Sequence, residues 1–229
     1  LDYLSQLANN TAYMLAVEKL CGIQAPPRAQ YIRTIGVEMA RVASHLVGVG
    51  TWALDIGAMT VFFLTFRERE IAYNIFEALT GARMMTSFTR PGGIAFDMTP
   101  EIAQMIREFL AYMPDKIDEY EDLLTKNRIW LERTKGVGVI TADQAIALSL
   151  TGPSLRGSGV NWDLRKNTPY MVYDRFDFEV PVGTVGDVYD RYLVRMEEMR
   201  QSLRIIRQAL DGLPEGPIQV ADPKVSLPP

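Results

Sequence analysis

The sequence predicts a mainly α-helical fold with one small segment rich in loops and strand. Three observations carry this. Apolar residues recur at steps of three and four through most of the first 125 residues, and again over 187–211. Helix-stopping and helix-starting residues stand where those patterns end. Only Phe176–Val180 alternates with the period of a strand.

Taken in order, residues 2–21 place Leu4, Leu7, Ala8, Met14, Leu15 and Leu20 on an amphipathic helix, with Gly22 suited to its C-terminal cap. Pro26-Pro27 breaks the chain. A second helix follows in which Ile32, Ile35, Met39, Val42 and Leu46 step along one side. Residues 46–66 read as a third, mostly apolar helix, with Thr51 and Asp55 one turn apart on one face. A fourth covers 66–80 and stops at Gly81. Arg90-Pro91-Gly92-Gly93 is a turn. Thr99-Pro100 opens a further helix through Ile102, Met105, Ile106, Phe109 and Met113, kinked or restarted at Pro114 before Ile117, Tyr120 and Leu124.

Between about 136 and 185, Gly152, Pro153, Gly157, Gly159 and Pro169 interrupt any period, and Gly157–Val160 reads as a flexible loop. The last helix, 187–211, is the most regular. Tyr189, Tyr192, Met196, Met199, Leu203, Ile206 and Leu210 form a heptad-like stripe that suits a packed seam. The expected organisation is one domain over 1–213, followed by a Pro-rich linker over 214–229.

Asp55 is the odd residue. From Leu46 to Phe66 it is the one ionisable group in an otherwise apolar and small-residue run, which stops at Arg67-Glu68-Arg69-Glu70. Two readings stand: a solvated turn residue beside Gly57, or a carboxylate held in an apolar cavity to tune or orient a partner. A membrane span of ~20 apolar residues fits the length. Three glycines and a central Asp costing roughly 2.5–3.5 kcal/mol argue instead for a buried helix.

The net charge is −4, and no basic patch points to nucleic acid. One cysteine, Cys21, and one histidine, His45, exclude an internal disulfide and a self-contained iron–sulfur or zinc site, so any redox centre must belong to another chain. There is no nucleophile motif, phosphate loop or dinucleotide fingerprint; Gly136–Val139 lacks the strand–turn–helix frame. His45, one turn after Arg41, reads as structural. Leu1 and the Pro-rich stop suggest an interior piece of a longer protein.

A family resemblance reaches further. The blocks LDYLSQLANNTAYMLAVEKLCGIQAPPRAQYIR, LDIGAMTVFFLTFREREIAYNIFEALTGARM, RPGG, NRIWLERTKGVGVI, RGSGVNWDLRKNTPY and VPVGTVGDVYDRYLVRMEEMRQSLRII together resemble the D (49 kDa) subunit family of proton-pumping NADH–quinone oxidoreductase, respiratory complex I. The likeness covers essentially the whole chain, with the blocks in the family's order. It implies a helical bundle like the large subunit of nickel–iron hydrogenases. It also implies a peripheral subunit on the cytoplasmic side of a bacterial inner membrane, lining the cavity where quinone, the substrate, is reduced.

By the same resemblance the terminal 4Fe–4S cluster is held by a B-type partner subunit. A C-type subunit and a membrane-arm subunit at the quinone entrance are further partners, and NADH and flavin bind elsewhere. Tyr3 matches the tyrosine that hydrogen-bonds the quinone headgroup. Asp55 matches the aspartate that pairs with a histidine from an earlier segment of the family. Thr51 and Phe63 match cavity-lining positions. Met85 stands where many relatives carry a histidine near the cluster, which implies a weak pH dependence of the cluster potential. Two other readings remain: a helical scaffold subunit without catalytic residues, and a hydrogenase-related large subunit, separable by the sequence flanking this chain.

Overall fold

The structure, a computed structural model, describes residues 2–222 and Val225; Leu1 and part of the expected 214–229 linker lie outside these. It is mainly helical, as expected. The long helices are α1 (Gln6–Cys21), α2 (Pro27–Ile56), α3 (Met59–Thr80), α4 (Pro100–Leu124) and α9 (Val188–Asp211). Four short ones lie between the last two: α5 (Arg128–Thr134), α6 (Ala142–Ala147), α7 (Gly152–Gly157) and α8 (Leu164–Asn167).

The organising element is α2, which is buried along most of its length and packs chiefly on α3 and α9. The apolar run 46–66 is not one helix. It supplies the end of α2, a corner at Gly57-Ala58 and the start of α3. Gly57 adopts φ 104°, a left-handed conformation that costs a side-chain-bearing residue dearly, and its N–H closes onto Ala53 and Leu54. The return helix then crosses close to α2 at Gly50, where a Cβ would stand 2.2 Å from Thr65 Oγ1.

The seam residues of α9 are buried from Tyr192 to Leu210, with Tyr189 partly so, and they join one apolar core that reaches from Leu7 to Leu210. α4 runs through Pro114 without interruption. Proline there removes the bond to the Leu110 carbonyl, and Arg207 Nη2 of α9 donates to that oxygen instead at 3.4 Å.

Phe176–Val180 is not a strand. Phe176 and Phe178 are buried and Asp177 and Glu179 exposed, so the alternation is real. The backbone finds α9 side chains in place of a neighbouring strand: Asp177 N–H donates to Gln208 Oε1 and Glu179 N–H to Gln201 Oε1, both at 2.9 Å. The sheet lies elsewhere, as a two-stranded antiparallel hairpin of β1 (Thr89–Arg90) and β2 (Gly93–Ile94) around the Pro91-Gly92 turn. A buried pair fixes it. Arg33 of α2 grips Glu18 of α1 through two bonds of 2.6 and 2.9 Å, and also donates to the Arg90 and Gly93 carbonyls.

Candidate functional site

Tyr3 lies in a turn just before α1 and is 59% exposed. It lines an open depression of about 560 Å³. The opposite wall is Met85-Thr86, in the segment that leaves α3 for the hairpin. The two walls are tied together. Asn10 Oδ1 accepts from the N–H groups of Phe88 (3.1 Å) and Thr89 (2.7 Å), and the hydroxyls of Thr11 and Thr89 meet at 2.9 Å. Tyr13, Gln6, Asn9 and Asn10 of α1 complete the lining with Asp2.

Arg69 of α3 is buried nearby with Nε and Nη2 unpaired, its guanidinium 4.7 Å from the Tyr73 ring centroid. Burial lowers its pKa, opposed by the fields of Tyr73, Tyr3 and Asp2.

Thr51, Asp55 and Phe63 form a second group, at the α2–α3 corner, and none of them lines the depression beside Tyr3. Asp55 is exposed in the last turn of α2, which matches the solvated reading for this chain taken by itself. Thr51 is half-buried, and its hydroxyl donates back to the Val47 (2.8 Å) and Gly48 (3.3 Å) carbonyls. Phe63 is 62% exposed and Met59 is exposed beside the same corner, leaving an apolar surface around a single carboxylate. Arg195 of α9 lies over the Trp52 ring at 4.7 Å.

A third cluster escaped the sequence reading. Glu38 and His45 of α2, Arg156 of α7, Asp163, Arg165 of α8 and Glu198 of α9 form a buried ionic network. Burial pushes the Glu38 carboxyl up, but Arg41 and Arg165, with bonds from Ser202 and Tyr173 (2.6 Å each), outweigh it and hold it at about 2. His45 Nε2 meets Glu198 Oε2 at 2.6 Å, and Arg156 clamps Glu198 from the other side. Burial lowers the His45 pKa against the pull of Glu198.

Gly157 is not a loose loop residue, since a Cβ there would stand 2.8 Å from Arg191 Cγ. The available signal was Arg156, Asp163 and Arg165 close together in a segment that otherwise reads as a loop. Among the described residues no three His, Cys, Asp or Glu side chains converge on a possible metal position. No described helix is long and apolar enough to cross a membrane.

A core of long helices holds a sealed ionic network, and an open depression lies between α1 and the 85–86 segment. Residues 55–229 match the family described as respiratory-chain NADH dehydrogenase, 49 kDa subunit, and the chain belongs to that family. It is 54% identical over 228 residues to the NADH-quinone oxidoreductase D subunit of Methylacidiphilum infernorum. It is 55% identical over 231 residues to the D 1 subunit of Roseiflexus castenholzii, and 54% identical over 229 residues to the D subunit of Geotalea uraniireducens. All of this chain is covered in each comparison, but only 54%, 55% and 59% of those relatives, so it spans little more than half their length.

Proposed function

We propose that this chain forms part of the quinone-reduction cavity of a proton-translocating NADH–quinone oxidoreductase. The carrying observation is Tyr3, exposed at the rim of a depression large enough for a quinone ring in a chain of the 49 kDa subunit family. Reduction of a quinone to the quinol takes two electrons and two protons, one proton for each ring oxygen. The electrons would come from a 4Fe–4S cluster held by a B-type partner subunit, since this chain's single cysteine cannot supply its thiolates.

Tyr3 donates a hydrogen bond to one quinone oxygen and gives up its proton as that oxygen gains charge. Asp55 pairs with a histidine from an earlier segment of the family, orients its ring and stabilises the imidazolium that serves the other oxygen. Thr51 and Phe63 line the approach to that histidine. The exposure of Asp55 and Phe63 supports this, because both are free to meet a segment from outside this chain. A C-type subunit and a membrane-arm subunit would cover other faces, with the whole on the cytoplasmic side of a bacterial plasma membrane. The hydrogenase-like bundle belongs to the same proposal.

The test uses membranes carrying full-length protein with Tyr3→Phe. NADH–quinone activity should fall about a hundredfold, while transfer from NADH to a hydrophilic acceptor persists. Survival of both activities would leave a scaffold subunit as the better reading.

A further inference from the structure

The contacts between α2 and α9 fall in a regular series. Glu38, His45 and Trp52 follow one another at seven-residue steps on α2, and each meets a residue of α9, taken in reverse order. Ser202 Oγ donates to Glu38 Oε2 and His45 Nε2 meets Glu198 Oε2, both at 2.6 Å. The Arg195 guanidinium then lies 4.7 Å from the Trp52 ring centroid. The last contact differs from the other two. Glu38, His45, Ser202 and Glu198 are buried, whereas Trp52 and Arg195 are only partly so. Arg195 Nη1 donates to the Arg191 carbonyl at 2.9 Å, and the flat face of the guanidinium is left to the indole. Gly48, one turn before Trp52, keeps that space open, since a Cβ there would already touch Arg195 Nε at 3.9 Å.

What this contact braces is the last turn of α2. Trp52 and Asp55 are three residues apart, so they stand on one side of the helix. The turn carries a carboxylate at the helix end where partial negative charge gathers, and it has no basic residue of its own. A cation brought across from α9 supplies the missing complement, and its stacking on Trp52 ties the turn to a buried helix. We infer that Arg195, stacked on Trp52, is a positioning residue that steadies the last turn of α2 and so fixes where the Asp55 carboxylate is presented. This rests on the reading of Asp55 as partner to an imidazole from outside this chain. It adds to that reading the group that holds the carboxylate in place.

The experiment uses the assembled complex containing full-length Arg195→Met, Trp52→Leu or Trp52→Phe. Hydrogen exchange at the amides of 53–57 should quicken in the first two variants, with that of 40–47 unchanged. NADH-driven reduction of a short-chain benzoquinone should lose about three- to tenfold in kcat, with KM and transfer to a hydrophilic acceptor kept. The alkaline limb of the kcat profile, where the imidazolium loses its proton, should move down by about half a pH unit, because a displaced carboxylate stabilises that cation less. Loss of the Arg195 charge acting directly on the imidazolium would move the limb up, so the direction in Arg195→Met separates positioning from plain electrostatics. Trp52→Phe keeps a ring beneath the guanidinium and should restore most of the rate and of the limb. Unchanged exchange at 53–57, a limb that moves up, or a fall in both activities together overturns the inference. Asp55→Asn separates the two levels. If it cuts quinone reduction while Arg195→Met and Trp52→Leu leave it intact, only the present inference fails; if Asp55→Asn is silent, the reading of Asp55 itself has failed.

Discussion

Glu38 receives bonds from Tyr173, Ser202, Arg165 and Arg41 with no exposed surface of its own. Replacing it by Gln keeps the shape but leaves buried guanidinium groups without their counter-charge, at a cost of about 3–5 kcal/mol. Its pH signature has a definite sign. The folded carboxyl sits at about 2, below its ordinary 4.5. The stability it contributes is therefore present above pH 4.5 and drains away as pH falls through 2. His45 is also depressed, from 6.5, by burial first, so its contribution is present above pH 6.5 and is lost on acidification below that. Urea midpoints measured from pH 8 to pH 3 should decline from about pH 6.5, and His45→Gln should flatten the first part of that decline. Met85, 66% exposed on the wall facing Tyr3, carries no proton. On the proposed function, potentiometric titration of a 4Fe–4S cluster in the assembled complex should show a shallow dependence on pH, steepened in Met85→His.

At the scale of elements, the close crossing of α2 and α3 depends on Gly50. Gly50→Val must push Thr65 aside and should cost about 1–3 kcal/mol by overpacking, read as a lower midpoint of thermal unfolding. Much of the helical frame was legible because it rests on local signals. Thr99 caps α4 by accepting from Ile102 N–H, Gly22 and Gly81 close α1 and α3 in left-handed conformations, and the α9 stripe is the buried seam. What was not legible depends on partners remote in sequence. The 46–66 run carries no mark of its corner beyond Gly57, because both halves are equally apolar and the bend is set by how α3 packs on α2. Phe176–Val180 has the period of a strand, yet Gln201 and Gln208 satisfy its backbone from a helix more than 20 residues away. Pro114 reads as a break unless the Arg207 donor is known. The candidate site divides the same way. Tyr3, Asp55, Thr51 and Phe63 were named from family blocks, whereas the stacking of Arg195 on Trp52 exists only once α9 packs on α2.

For the whole molecule, apolar side chains cluster outside the core at the α2–α3 corner, with Met59, Phe63 and Phe66 exposed there. An uncovered patch of this kind favours association, so the isolated chain should sediment as oligomers at micromolar concentration. The ionic network adds a constraint on how the chain comes together. His45 waits for Glu198, 153 residues later, and Glu38 for Ser202, 164 residues later. At roughly 5–20 residues per second of synthesis, α2 emerges from the ribosome on the order of ten seconds before the helix that completes its charge pairing. The charge pairing that seals the centre of α2 is thus completed only once the last helix has been made.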